Sequence, residues 1–384
     1  MRRSSSLWPA AFGMALTLAT LSPGCGTAGF EPASKIKGLR VLAMQKSPPY
    51  GAPGGTVDLE MIYWDGKAGE GAPRNIEFQF FDCDNPPGDL YYNCFDKLNL
   101  VTGVPGVPGA DAGADADDGG ASDAGDAPSD DANADDGGNA DDGGATADGS
   151  ALDGGTDEAG DTSADAGAPP AFPPLPIVRR RVTIPSDIVK QRLDGTPYGL
   201  KYVFFMACAG HLGPDPSLAN GIPIGCFDDA GHLLGPDDFV PGYGAIYVYD
   251  SLQNNNPIVD PTIPLAGTPV DGAVHVARCV ESDRSNCPNV EIKPIIDMAS
   301  AEKDTEAKDP DGNVLDEQLW VAYLSTDGDF TSALRLVNDP IAHWNPEYGT
   351  KFRAPTTPGP VRIFAIVHDN RGGVAWAQAR VIVD

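Results

Sequence analysis

Basic residues are scarce in this chain: Lys and Arg number 26 against 55 Asp and Glu, for a net charge of −29. Nothing basic is clustered densely enough to track a phosphate backbone, and the overall sign repels one. Nucleic acid is therefore excluded as a partner. Histidine is also rare, with five residues (His211, His232, His275, His343 and His368) scattered along the sequence. A catalytic histidine needs an identifiable partner, and none can be named. The nucleophile elbow G-x-S-x-G, the zinc motif H-E-x-x-H and a phosphate loop ending in G-K-[ST] are all missing. The expected protein is not an enzyme, an unrecognised hydrolase being the alternative, and no cofactor is expected.

Long apolar runs are missing too, apart from Leu7 to Leu21, which follows Arg2 and Arg3. A positive start, a short greasy middle and small residues after it form the pattern of a cleaved export signal. A spanning helix needs about 20 apolar residues, and Pro9 and Gly13 interrupt this stretch. Next comes Leu21-Ser22-Pro23-Gly24-Cys25, which resembles a bacterial lipobox, where the cysteine after the cut becomes the lipidated first residue. The resemblance implies removal of residues 1–24, lipidation of Cys25, a tether over 25–35, and a membrane partner reached through the N-terminal lipid. Two or more acyl chains make such attachment stable. Gly26 rather than aspartate after Cys25 implies the outer membrane. Ordinary cleavage a few residues later would instead discard Cys25 and release the protein.

Seven cysteines are an odd number. Without Cys25 there remain Cys83, Cys94, Cys208, Cys226, Cys279 and Cys287, in three close pairs along the chain. Six cysteines allow 15 pairings, of which pairing between sequence neighbours is the simplest. No C-x-x-C pair and no cysteine–histidine cluster at zinc spacing is present. Behind an export signal, disulfides are the expected use.

The negative charge is concentrated. Of the 55 acidic residues, 18 lie between Val101 and Val178, where there is no Lys or Arg; the remainder has 37 acids against 26 bases. Typified by "GADAGADADDGGASDAGD", the segment is built from Asp, Gly and Ala. It cannot bury enough apolar surface to offset the entropy of ordering, so a disordered insertion over 101–176 is expected. Loop-closure cost grows by only about 0.6 kcal/mol per doubling of length, so a folded unit tolerates it.

On either side the chain reads as strands. "TVDLEMIYW" sets Val57, Leu59, Met61 and Tyr63 against Asp58, Glu60 and Ile62, and "RNIEFQFF" alternates likewise, each with one buried and one wet face. "GLRVLAMQ", "IVRRRVTIP", "GLKYVFFMACAG" and "GAIYVYD" are further strands. "SDIVKQRLDG" is the one helical turn expected, with Ser186 as N-cap and Gly195 as stop. The proline-bearing "SLQNNNPIVDPTIP" marks a domain boundary. Beyond it, "GAVHVARC", "NVEIKPIID", "EQLWVAYLST", "TSALRLV", "GPVRIFAIVHD" and "GGVAWAQARVIVD" give six more strands. In "HDNRGGV", Asn370, Gly372 and Gly373 tolerate the positive φ of a hairpin turn.

Many short strands and almost no helix signal predict an all-β fold of sandwiches. "KGLRVLAMQKSPPYGAPGGTVDLEMIYWD" is similar to the opening of immunoglobulin-like domains in uncharacterised exported lipoproteins of the myxobacterial type. "PTTPGPVRIFAIVHDNRGGVAWAQARVIV" resembles their closing hairpin. The resemblance implies two Ig-like β-sandwich domains, one formed by 36–100 and 177–255 around the insertion, the other by 256–384. It implies no activity, because a sandwich hosts many unrelated ones.

Two candidate sites remain. "KDPDGNVLDE" places Asp309, Asp311, Asn313 and Asp316 with the alternation of a calcium loop, but Val314 stands where an EF-hand needs glycine and Trp320 where it needs glutamate. A solvated turn is the expectation, with no metal. Tyr91 and Tyr92 in "CDNPPGDLYYNC", and Trp344 and Tyr348 in "HWNPEYG", are aromatics that either cover a core edge or contact a glycan. The function expected is that of a structural or adhesive surface protein, meeting an envelope protein or a glycan; the alternative is a carbohydrate-binding module using those four aromatics.

Overall fold

A computed structural model describes residues 33–70, 74–87, 94, 172–191, 197–215, 224–267, 272–281 and 283–384. Residues 1–24, Cys25, Tyr91, Tyr92 and 101–171 of the expected insertion lie outside the described residues. All the described residues belong to one unit of the chain.

The fold is all-β, and its sheets stack face to face. Strands Leu39–Ser47, Thr56–Asp65 and Ile177–Thr183 form a three-stranded antiparallel sheet with Thr56–Asp65 in the centre. On one of its faces Val57, Leu59 and Val182 pack with Val203, Ile246 and Val248 of a four-stranded sheet. That second sheet runs Tyr50–Gly51, Phe239–Val248, Gly199–Cys208, Glu77–Asp84. On the other face, Ala43, Ile62 and Trp64 pack with Leu324, Phe364, Ile366 and Val374. Those four residues belong to a six-stranded sheet whose long members are Leu319–Ser325, Gly359–Asp369 and Val374–Val383. The far face of the six-stranded sheet buries Val321, Tyr323, Ile363 and Ala377 against Ile292 and Phe352 of strands Asn289–Ile292 and Thr350–Arg353.

This stacking changes one expectation. Ile62, placed on the wet side of its strand by alternation, is fully buried, as is Trp64 beyond it, because that face meets the six-stranded sheet. A second departure concerns "SDIVKQRLDG". Its described part, 186–191, is a turn followed by an isolated bridge between Lys190 and Tyr198, with no helix. Ile188 is drawn into the core shared with Val182 and Val203, which outweighs the capping signal of Ser186.

Charged side chains join the layers. Arg362 is completely buried, forms an ion pair with Glu70 (Nη2 to Oε2, 3.0 Å), and donates to the carbonyl of Pro173 at 2.6 Å. Its guanidinium lies 4.6 Å from the centre of the Trp64 ring. Beyond strand Phe239–Val248, Asn256 bonds to both the three-stranded and the six-stranded sheet. Asn256 donates to the carbonyl of Lys46 (2.7 Å) and accepts from the N–H of Val374 (2.9 Å).

The cysteines form three disulfides: Cys83–Cys94, Cys208–Cys226 and Cys279–Cys287. They place the folded chain in an oxidising, extracytoplasmic compartment. Among the described residues no helix is long and apolar enough to cross a membrane.

Candidate functional site

The outward face of the four-stranded sheet is aromatic, and strand alternation produces it. Side chains two apart on a strand share a face, and directly opposed residues on paired strands stand side by side. Tyr243 is opposite Phe204 and Tyr247 opposite Leu200, while the parallel Tyr50–Gly51 strand brings Tyr50 beside Tyr247. Ring contacts follow: Tyr202–Tyr243 at 5.6 Å, Tyr198–Tyr247 at 5.8 Å and Tyr50–Tyr249 at 4.8 Å. Tyr243 is 52% exposed and Tyr247 39%.

At the Tyr50 end this row enters a cleft of ≈ 570 Å³, whose walls include Tyr50, Tyr247, Tyr249, Asp304, Glu306 and Trp320. Its rim is the turn Asp369–Gly373 between the last two strands. The Asp369 carboxylate accepts from the N–H groups of Arg371 (2.8 Å) and Gly373 (2.7 Å). Of the three residues that tolerate positive φ here, Gly372 is the one that takes it, at 90°. Gly373 is required for a different reason: a Cβ there would fall 2.1 Å from an Asp369 oxygen.

Behind the turn lies a dense charged cluster. Arg371 pairs with the buried Glu317 and with Glu302 (3.1 Å), and donates to Asn254 Oδ1 at 2.6 Å. Burial, aided by the charge of Asp369 and opposed by Arg371, pushes the Glu317 carboxyl up to about 7. Burial likewise raises Asp369 above the usual carboxylate range, its backbone hydrogen bonds opposing the rise. Burial lowers Lys46, whose Nζ donates to the carbonyl of Ala245 (2.9 Å), to about 8 despite the charge of Asp369.

A pH dependence follows from Glu317. The folded protein keeps this proton up to about pH 7, whereas an unfolded chain releases it near the ordinary glutamate value of about 4.3. Between those values the folded state binds more protons, so this group's stabilising contribution, complete below the lower value, is lost as pH rises to the upper one. Glutamine mimics the protonated acid. Glu317→Gln is therefore expected to gain on the wild type by on the order of 2 kcal/mol between pH 5 and pH 8. Guanidinium unfolding at the two pH values measures this; a difference that does not change with pH would refute it.

The residues singled out from sequence fare variously. Trp344 is half-buried against the core of the six-stranded sheet, and Tyr348 is buried, its hydroxyl donating to the carbonyl of Pro294 at 3.0 Å. Their rings meet edge to face at 6.0 Å. Tyr91 and Tyr92 lie outside the described residues. Asp309 accepts from the backbone and side-chain nitrogens of Asn313 (2.8 Å each), closing a hairpin turn, while Asp316 turns to Lys303 and His343. Among the described residues no group of three or more His, Cys, Asp or Glu side chains is placed to hold a metal ion.

The histidines are dispersed. His211, His232, His275 and His343 each face a carboxylate at the surface, and His368 stacks on Trp320 at 5.4 Å. Sequence reading missed Tyr50, Tyr247, Tyr249, Asp304 and Trp320 as a set; the only local signal was the "YGAIYVY" alternation.

The fold and cleft together define a disulfide-bonded, extracytoplasmic all-β protein with an aromatic recess at the edge of one sheet. No family model matches the sequence, and no curated protein is similar to it.

Proposed function

We propose that this chain is a non-catalytic protein of the cell envelope, anchored in the outer membrane through a lipid on Cys25, that adheres or organises through its β-layers. The observation that supports it most is the set of three disulfides pinning an all-β scaffold, which suits assembly outside the cytosol. The mass of the native N-terminus tests the anchoring. Acyl chains on Cys25 are expected, and a free amine further along would overturn it. Robust turnover in a hydrolase screen of the mature chain would overturn the non-catalytic role.

One observation favours a second reading, that of a carbohydrate-binding module. Tyr243 and Tyr247 stand exposed on one sheet face, offering large rigid area at low entropic cost. This reading moves from the Trp344–Tyr348 pair, which packs inward, to the tyrosine row. A glycan array is expected to show signal that falls at least tenfold in a Tyr243→Ala, Tyr247→Ala double variant. Silence, or signal unchanged by the two substitutions, would end it.

A further inference from the structure

The cleft beside Tyr50 also has a chemistry of its own. Asp304 lines it and is only 8% exposed. Its carboxylate accepts one hydrogen bond, from the backbone N–H of Glu306 at 3.1 Å. Among the described residues no lysine, arginine or histidine nitrogen comes within ion-pair distance of it. Buried carboxylates are ordinarily paired, because an uncompensated charge in a low-dielectric site is costly. Arg371, which also lines the cleft, is already held by Glu302 and Glu317.

Around Asp304 stand π-faces. Tyr50 and Tyr249 meet at 4.8 Å, and the Tyr50 ring already has a cation over it, the Arg371 guanidinium at 5.7 Å from its centre. Tyr247, Tyr249 and Trp320 supply further rings to the walls. One face of Trp320 stacks on His368, whose imidazole burial holds below its usual range. Two carboxylates, Asp304 and Glu306, line the cleft beside Tyr249, whose phenol burial raises to about 12, with Glu306 and Asp304 adding to the rise. Aromatic faces within about 6 Å of a carboxylate-balanced cation form the recognition mode for alkylammonium groups. The volume lies in the range of roughly 300–1,000 Å³ usual for small-molecule sites.

We propose that this cleft binds a small organic cation, an alkylammonium group seated among Tyr247, Tyr249 and Trp320 with Asp304 as its counter-charge. The site goes beyond the envelope reading and does not depend on it, since the residues that carry it, Tyr247, Tyr249, Asp304 and Trp320, lie outside the expected tether. A neutral sugar is the competing occupant: it would use the same rings but would be indifferent to the charge of Asp304.

The test is calorimetric titration of the full chain at low salt with choline, with butylamine, and with 3,3-dimethylbutan-1-ol, the neutral isostere of choline. Cellobiose serves as the neutral sugar. At least one ammonium probe is expected to bind, about tenfold or more tighter than the isostere or the sugar, and more weakly as salt rises. Asp304→Asn should weaken the ammonium probe by about tenfold while leaving the isostere unchanged. Because Asn keeps an oxygen for the Glu306 N–H, the fold should persist; Tyr249→Leu is the second variant, expected to lose at least fivefold. Binding of neither ammonium probe overturns the proposal. So does equal or tighter binding of the isostere or cellobiose, or affinity for the ammonium probe unaltered by Asp304→Asn.

Discussion

Replacing Arg362 with methionine is expected to destabilise the protein by about 3–5 kcal/mol, the cost of breaking a buried ion pair by removing one member. Arg362 is wholly enclosed, and the side chain of Glu70 is 9% exposed, so each would be left facing low dielectric without the other. The guanidinium does more than neutralise Glu70. It donates to the Pro173 carbonyl (2.6 Å) and lies over Trp64, so its loss also orphans an acceptor and opens a void beside an aromatic ring. Glu70→Leu alone should cost a comparable amount. The double variant, which leaves no charge behind, should recover a large part of it, because well-packed apolar pairs often replace buried ion pairs without penalty. Urea unfolding of the four proteins completes the cycle. Single substitutions costing under about 1 kcal/mol, or strictly additive losses, would show that the pair does not hold these layers together.

The second large effect concerns sulfur. Cys208 and Cys226 are both completely buried and join the end of strand Gly199–Cys208, internal to the four-stranded sheet, to strand Ile224–Phe227, across 18 residues. Converting both to alanine should cost about 3 kcal/mol, since a loop of this order loses about that much unfolded-state entropy when closed. The Cys279–Cys287 bridge closes 8 residues, and its removal should cost less on the same scaling. Thermal unfolding of the two double variants under identical conditions tests the ordering. Equal losses, or a Cys208/Cys226 variant as stable as the wild type, would mean that the closed loops are ordered by other contacts.

Much of the architecture is legible locally. Alternation in "TVDLEMIYW" and continuous apolar sequence in "GLKYVFFMAC" and "VRIFAIVHD" locate strands that the structure contains as Thr56–Asp65, Gly199–Cys208 and Gly359–Asp369. What alternation cannot convey is how many layers meet a strand. Ile62 looks solvent-facing because its neighbours Asp58 and Glu60 are, yet the face changes character halfway along when the six-stranded sheet closes over it. "SDIVKQRLDG" has a sound cap, but capping is worth about 1 kcal/mol, less than burying Ile188.

The candidate site was harder still. Tyr50, Asp304 and Trp320 come from three remote segments, and Arg362 finds Glu70 across 292 positions. No window of sequence shows such neighbours. The "HDNRGG" turn was readable as a turn, yet the reason for its second glycine is the carboxylate packed against it, which only the folded chain displays.

The central three-stranded sheet has both of its broad surfaces spoken for, and the six-stranded sheet is in the same position. Among the described residues, the surface left open to a ligand is thereby that of the outermost layers and of the loops at the strand ends. Substitutions that diversify binding can accumulate along the tyrosine row and the turn beside it, while the interior strands are held to shape-preserving apolar exchanges on either side.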